Sequence, residues 1–339
     1  MGVPAREIRE GYYSDIYFVR SREVLLKDRR RGRTLMQVFC KKHALLAGMC
    51  ESLEVLRRAS FRPGRLTVRA LADGALVRPW ETVLTIEGDY KDYTHLETVV
   101  LGILTRRSSL ASAVREVVDA ARPRPVLYFA ARFDHYANQE GDGEAVRIGG
   151  AAGVSTPALA KRFGKPAGGT IPHALIAAYG GDTVRALQAF DRAIPRSVPR
   201  IALVDIDNDC VGTALACARA LGRRLWAVRL DTAETLWDRS IKRRTRANRG
   251  VSPELVRLVR RALDRAGFRW VKIVVSGGFT AEKVRAFRRS RVPFDVLGVG
   301  SSLLKARVDF TADIVKVDGR PCAKVGRRWR PNARLRTAW

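Results

Sequence analysis

The sequence lacks the markers of several protein classes. No apolar run approaches the 18 or so residues of a membrane span, so no transmembrane helix is expected. The opening stretch, MGVPAREIREGYYSD, has no apolar segment of the kind a secretory signal carries. Gly2 could invite myristoylation, but position 6 holds Arg6 where that motif wants Ser or Thr. Only five cysteines occur (Cys40, Cys50, Cys210, Cys217, Cys322), and none forms a CxxC pair. That argues against a disulfide framework and against a zinc site, and for reduced thiols in a cytoplasmic protein. Cys210 and Cys217 stand seven apart in a helical stretch and are expected to share one buried face. No internal repeat or low-complexity tract stands out. No Ser-His-Asp or Cys-His arrangement has persuasive spacing, so a covalent hydrolase mechanism finds no support.

Acidic residues are also scarce: 34 against 63 basic ones, a net charge of +29. Partners or substrates are therefore expected to be anionic, and nucleic acid, a membrane surface and a phosphorylated metabolite all fit. The densest clusters are KDRRRGR (27–33), KRRTRANR (242–249) and RRWRPNARLR (327–336). The alternating basic and aromatic pattern of an RNA-binding sheet is missing, so most of the excess reads as solvated surface.

What is present is a chain of 339 residues with enough apolar content, 46%, for a substantial core. Residues 1–122 read as an α+β domain. Segment 35–59 has helical periodicity. Segment 65–90 reads as short antiparallel strands broken by DG, RPW and EG, with one face wet. Segment 95–121 reads as a long helical stretch, or two helices, ending at RPRP. From 123 to 305 short apolar strands (PVLYFAA, KPAGGT, IALVDI, LWAVRLD, KIVVSGG, DVLGVGS) alternate with helical segments. Repeated βα units imply a parallel sheet, and polar residues gathered after the strands favour a barrel with a site at its mouth. Residues 306–339 read as strands, DIVKVDG and CAKVGRRW, returning to the N-terminal domain. The expected fold is α/β: an irregular, incomplete α/β barrel with an N-terminal α+β domain completed by the C-terminal tail.

Candidate site residues lie at those strand ends. In VVSGGFT, Ser276, Gly277 and Gly278 separate a buried strand from a helix capped by Thr280; glycine lets backbone amides approach an anion. The next strand, in FDVLGVGSSL, ends with Gly298, Gly300 and Ser301, and two such turns late in a barrel suit a phosphate. In AVRLDT, Arg229 and Asp231 share one strand face and suit a sugar phosphate: the cation for phosphate oxygens, the carboxylate for hydroxyls or a metal. In ALVDIDNDC, Asp209 is placed to cap a helix, which leaves Asp205 as the site candidate. Thr170 and His173 follow a glycine pair, and Pro172 puts His173 near a helix N-terminus, where a neutral ring is favoured. His43, His95 and His135 read as packed histidines. Phe129 and Arg132, with Asp15 and Tyr17 near the start, offer an aromatic face and a cationic fork for a flat anionic ring.

In their order, the blocks YYSDIYF, LETVVLGILTRRSSLAS, YFAARFDHY, GVSTPALAKRFGKPAGGTIPHALI, LVDIDND, VRLDT, VVSGGF and LGVGSSLL resemble the nicotinate phosphoribosyltransferases, a branch of the type II phosphoribosyltransferases. The resemblance runs from about residue 12 to 330. It implies a homodimer or higher homo-oligomer with sites at the subunit interface. The implied reaction makes nicotinate mononucleotide and pyrophosphate from nicotinate and phosphoribosyl pyrophosphate. It is coupled to ATP hydrolysis, with magnesium on the pyrophosphate. The resemblance further implies that Tyr17, beside Asp15, stacks on the pyridine ring from the neighbouring subunit. Phe129 would take the opposite face, Arg132 the carboxylate, and Ser155 a further nicotinate contact. It assigns transient phosphorylation to His173, oriented by Asp205. Arg229 and Asp231 would hold the phosphoribosyl group, and Ser276, Gly277, Gly278, Gly298, Gly300 and Ser301 its 5′-phosphate. The tail keeps only Cys322, so no zinc is expected there.

Three other readings stand beside this one. A quinolinate phosphoribosyltransferase would need cations for two ring carboxylates, and Arg106 and Arg107 could supply them; the GTIPH block argues for the nicotinate branch. A nicotinamide-specific enzyme is expected to place an aspartate near the ring, and KRFGKPAGG offers none. A nucleic-acid-binding protein on a barrel scaffold is the alternative that the net charge motivates.

Overall fold

The computed structural model describes residues 3–339; Gly2, on which the myristoylation reading falls, lies outside them. The chain forms two compact units, Met1–Ala113 with Ala306–Trp339, and Val114–Lys305.

The first unit opens with two helices, α1 (Ala5–Arg9) and α2 (Ile16–Lys27). Segment 35–59, expected to be helical, instead begins with strands β1 (Arg33–Cys40) and β2 (Ala44–Leu45); only α3 (Met49–Ala59) is helix. The reason is tertiary. Strand β1 pairs antiparallel on both edges, once with residues 82–89 and once with 310–317. It is buried on both faces at 36–40, so it shows no strand alternation, and one of its partners is far away in sequence. Strands β3 (Thr67–Ala70), β4 (Leu76–Val77) and β5 (Thr82–Asp89) follow, antiparallel and broken at DG and RPW as expected. The EG pair does not break β5. Gly88 sits within the strand because a Cβ there would lie 2.5 Å from Leu66 Cδ2. Residues 82–86 are all buried, so this strand has no wet face. The stretch after His95 is one helix, α4 (Glu97–Ala121), and the division between the units falls within it.

The second unit is built on a six-stranded parallel sheet. In chain order it contains β6 (Val126–Tyr128), α5 (Gln139–Gly149), β7 (Gly153–Val154), α6 (Pro157–Phe163), α7 (His173–Ala178) and α8 (Thr183–Ala193). Then come β8 (Arg200–Leu203), α9 (Cys210–Leu221), β9 (Leu225–Leu230), α10 (Pro253–Arg265), β10 (Lys272–Val275), α11 (Ala281–Arg289) and β11 (Val296–Val299). The spatial order is β7-β6-β11-β10-β9-β8, a curled half-barrel. KPAGGT, expected to be a strand, is irregular backbone; the parallel strand in that part of the chain is the two-residue β7. Helix starts follow the capping chemistry. Asp209, Ser252 and Thr280 each accept from a backbone N–H three residues on, and Asp182 and Thr156 do the same for α8 and α6. Gly180 and Gly181, both left-handed, separate α7 from α8. Cys210 and Cys217 are both buried on α9.

The tail supplies β12 (Phe310–Val317), β13 (Arg320–Pro321) and β14 (Arg336–Thr337). These complete the first unit's sheet in the order β13-β12-β1-β5-β3-β14. The strand expected over CAKVGRRW is a turn region, and the tail pairs instead through the short β14 against β3. A core including Val38, Leu56, Val68, Leu84, Leu96 and Phe310 lies within this unit. Each such side chain contributes about 1.5–3 kcal/mol on burial. Among the described residues no helix is long and apolar enough to cross a membrane.

Candidate active site

The site follows from one repeated rule, that every second residue of a strand shares a face. A layer of Leu127, Ile201, Ala227, Val274 and Val296, one from each of β6, β8, β9, β10 and β11, packs together inside the curl. Two residues further on, each strand presents Phe129, Leu203, Arg229, Ser276 and Gly298. One step beyond come Asp205, Asp231, Gly278 and Gly300. The C-terminal strand ends thus carry functional groups above an apolar floor, the arrangement of barrel active sites.

Of these, Phe129, Leu203, Arg229 and Asp231 border a pocket of about 550 Å³; Asp205, Ser276, Gly278, Gly298 and Gly300 are not part of its lining. Its walls include Phe129, Arg132, Ser155, Thr170, His173, Arg229 and Asp231, all expected from the sequence. On its wall Arg229 makes three bonds. Its Nε donates to Ser276 Oγ at 2.8 Å, Nη1 to Thr170 Oγ1 at 3.1 Å and Nη2 to Asp231 Oδ2 at 2.6 Å. Ser276 Oγ also lies 2.7 Å from Asp231 Oδ1. The guanidinium sits 5.3 Å from the centre of the Phe129 ring. His173 is the first residue of α7, and its Nε2 lies 3.0 Å from Asp205 Oδ1. The Asp205 side chain is 8% exposed, the imidazole 45%. Burial pushes the Asp205 carboxyl above the usual carboxylate range, with the His173 contact opposing the shift.

Gly277 and Gly278 are both left-handed, at φ +83° and +60°, which only glycine adopts without strain. A Cβ on Gly277 would lie 3.5 Å from Asp231 Oδ1, so this turn borders the Arg229 network. A Cβ on Gly278 would fall within 1.7 Å of Glu234 Oε1: that carboxylate lies over the turn. A Cβ on Gly298 would come 2.5 Å from Phe129 Cε2, and one on Gly300 2.9 Å from Phe133 Cε2, so these glycines make room for aromatic rings. Ser301 opens a short 3₁₀ turn, Ser301–Leu304, after β11.

Asp15 and Tyr17 belong to the first unit. Asp15 accepts from Thr98 Oγ1 at 2.8 Å and from the Tyr17 hydroxyl at 3.3 Å, and Tyr17 is 57% exposed. Arg107, also in that unit, is ion-paired to Glu51 at 3.0 Å, and Arg106 lies beside it on α4. Of the histidines expected to be packed, only His95 is buried; its Nε2 meets the Ala59 carbonyl at 3.0 Å, and burial lowers its pKa to about 4. His43 and His135 are exposed.

Three neighbours escaped the sequence reading. Lys283, on the first turn of α11, places Nζ 3.2 Å from the Gly277 carbonyl and 4.4 Å from the Phe279 ring centre. Burial holds its ammonium below the usual lysine range, with Glu234 opposing. Its position three residues after the Thr280 cap was the available signal. Gln139 and Thr156 also line the pocket, joined by a 2.8 Å hydrogen bond, and no local pattern marks them. Magnesium typically keeps several waters and binds through one or two carboxylates plus substrate phosphates. Asp231 and Asp205 are the carboxylates here, and among the described residues no group of three or more His, Cys, Asp or Glu could hold a metal. The donor set fits an ion arriving on a phosphate better than a resident one.

Comparison with known proteins identifies the family. The family model for the quinolinate phosphoribosyl transferase N-terminal domain matches residues 15–108, and that for its C-terminal domain matches 110–313. A nicotinate phosphoribosyltransferase of Mycobacterium tuberculosis is 31% identical over 95% of this chain and 76% of its own length. The crystal structure of nicotinate-nucleotide pyrophosphorylase from Pyrococcus furiosus is 37% identical, with a TM-score of 0.84 over 95% of this chain and 79% of that one. Human nicotinic acid phosphoribosyltransferase shares the fold, with a TM-score of 0.72 at 18% identity, covering 91% of this chain and 75% of that one. Matched in both of its domains, with its functional side chains raised two by two above the floor of a curled parallel sheet, the chain belongs to the quinolinate phosphoribosyl transferase family of type II phosphoribosyltransferases.

Proposed function

We propose that this protein is a nicotinate phosphoribosyltransferase, joining nicotinate to phosphoribosyl pyrophosphate with ATP hydrolysis. The observation that carries the choice is the charge inventory of the pocket. Of its two arginines, Arg229 is bound to Asp231. Arg132 makes no ion pair among the described residues, lies 5.8 Å from the Phe133 ring centre and shares the pocket wall with Phe129. One ring face and one available guanidinium suit a monocarboxylate ring; a dicarboxylate would leave one charge unmatched.

On this reading the pyridine nitrogen attacks C1′ of the ribose while the C1′–O bond to pyrophosphate breaks. Positive charge develops on the sugar, and no covalent enzyme intermediate is required. Phe129 holds the ring, Arg132 its carboxylate, and Ser155 is a further contact. Arg229, Asp231, Thr170 and Ser276 hold the phosphoribosyl group, with the Gly277–Gly278 turn and the Gly298–Ser301 segment at its phosphate. Lys283 adds a cation there. Positioning of this kind supplies about 7–11 kcal/mol of barrier reduction. Asp231 and Asp205 are the carboxylates that would meet a magnesium ion arriving on the diphosphate, and the ion would supply neutralisation of the leaving group. Asp205 accepts from His173 Nε2–H and leaves Nδ1 as the nitrogen free to take a phosphoryl group from ATP. Tyr17 reaches a site from the partner in a homodimer or higher homo-oligomer. The exposed run of Tyr12, Tyr13, Ile16 and Tyr17 supports that placement.

The second reading, a decarboxylating quinolinate enzyme, is favoured by the family model. One assay separates the two: pyrophosphate release with nicotinate or quinolinate and the sugar donor, with and without ATP. Nicotinate-dependent release stimulated by ATP is expected. Release only with quinolinate, together with carbon dioxide, overturns the proposal.

A further inference from the structure

The tail segment RRWRPNARLR is one of the three densest basic clusters in the sequence, and the candidate active site uses none of it. In the first unit this segment lines part of a second pocket, of about 780 Å³, together with His43, Arg78, Trp80 and Glu81 among others; Arg330 and Arg334 are among its contributions. Every lining residue belongs to the first unit. Glu81 holds Arg334 Nη1 at 2.7 Å and Asn332 Nδ2 at 3.0 Å. Arg78 and Arg330 make no ion pair among the described residues.

Trp80 is the unusual wall. Its φ is +68°, a backbone region that bulky side chains rarely occupy. The turn Arg78–Glu81 closes with the Glu81 N–H donating to the Arg78 carbonyl at 3.1 Å. With Pro79 second and a left-handed residue third, this is a turn whose third position favours glycine. Tryptophan stands there instead. It is held by its N–H on the Cys40 carbonyl at 2.6 Å and by stacking on Phe39, ring centres 5.4 Å apart at 22°. The guanidinium groups of Arg330 and Arg327 lie 5.3 and 5.4 Å from the indole centre, and Lys41 Nζ lies 5.5 Å away. Backbone strain of this kind collects at ligand clamps.

We propose that this cavity is a second binding site, for a nucleoside polyphosphate. The base lies against Trp80 and its guanidinium neighbours, and the phosphates meet Arg78 and Arg330. The volume falls in the range of small-ligand sites, about 300–1,000 Å³. A concave site of this volume, lined by one indole and two arginines without carboxylate partners, suits a compact ligand over a polymer. Two arginines without carboxylate partners match phosphate oxygens by bidentate donation, and an indole with guanidinium groups 5.3 and 5.4 Å from its centre suits a flat base at its edge. The site does not depend on the activity proposed for the second unit.

The test is calorimetric titration of the full chain with ATP, with tripolyphosphate and with a short single-stranded RNA. The chain carries His173→Asn, so that phosphorylation at that ring does not enter the signal. ATP affinity is expected to fall about tenfold or more in Arg78→Gln and in Arg330→Gln, and less in Arg330→Lys, which keeps the charge but loses the fork. Tripolyphosphate should bind more weakly than ATP. In the otherwise unchanged enzyme the same Gln variants should leave ATP-independent pyrophosphate release intact and melt as the parent does. ATP affinity unchanged in the folded Gln variants overturns the site. Tripolyphosphate binding as tightly as ATP overturns the role of Trp80. RNA binding more tightly than ATP, and lost in the same variants, replaces the nucleotide with a polymer and overturns the assignment.

Discussion

Replacing Gly298 with alanine tests the central geometry directly. Gly298 does not need a left-handed backbone, so the new methyl acts by contact alone. It would arrive 2.5 Å from Phe129 Cε2, whereas ordinary contact begins near 3.4 Å. The ring must retreat by about 0.9 Å, toward the pocket it lines. Overpacking costs about 1–3 kcal/mol; because the pocket is open on the far side, about 1 kcal/mol is expected, a fall in Tm of about 2–4 °C. Catalysis should suffer more, since a displacement of about 1 Å in a positioning group can cost about 100-fold. Denaturant unfolding and steady-state kinetics of Gly298→Ala, Phe129→Leu and the double variant close a cycle. In the Phe129→Leu background, adding Gly298→Ala should cost neither stability nor kcat/KM. Equal costs in both backgrounds would refute the account, because the glycine would then not be reserved for the ring.

Further predictions follow from other contacts. His173→Asn should abolish stimulation by ATP while leaving slow basal transfer; stimulation surviving intact removes the phosphorylation role. Gly278→Ala meets both a left-handed φ and the Glu234 carboxylate, so it should cost about 1–3 kcal/mol of stability, and adding Glu234→Ala should return only the steric part. Burial, with Asp313 and Asp15 adding to it, raises the Glu97 pKa to about 7. A carboxyl raised on folding binds more protons in the folded chain, so its contribution falls as pH rises from about 4.5 to 7. The stability of Glu97→Gln relative to the parent should therefore grow across that window by up to about 3 kcal/mol in denaturant titrations. A gap independent of pH would contradict it.

The barrel half was legible because its strands are short, buried on both faces and followed at once by the residues they serve. Arg229 and Asp231 could be placed on one side from spacing alone, as could Asp209 as a cap. The N-terminal sheet was harder to read. Strand β1 draws its identity from residues 310–317, and with both faces covered its apolar residues run together, as in a helix. Strand β7 is two residues long, too short to leave a pattern. Lys283 and Glu234 approach the glycine turn through tertiary contact that no window of sequence contains. The glycines of LGVG read from the sequence as a phosphate cradle; that the rings of Phe129 and Phe133 pack against them was not legible there.

Arg229 shows why so much of the site can be built in advance. A guanidinium has five N–H groups. Three are committed, to Ser276, Thr170 and Asp231, from three separate strand ends or loops. The side chain is therefore fixed before any ligand arrives, and its two remaining N–H groups are left for an anion. Were Arg229 unpaired, a phosphate would have to order a long side chain as it bound, at about 0.5–1.5 kcal/mol. Were all five donors used, no phosphate could be recognised without breaking a bond. Asp231 holds the cation in place; on the proposed reaction it would also limit the local positive charge, so that a diphosphate product is not gripped too tightly to leave. Asp231→Asn should then keep the geometry while raising affinity for pyrophosphate and slowing its release, whereas Asp231→Ala should loosen Arg229 and raise KM for the sugar donor. Pre-steady-state bursts and product-inhibition constants distinguish the two variants, and identical behaviour would leave Asp231 no more than a structural counter-ion.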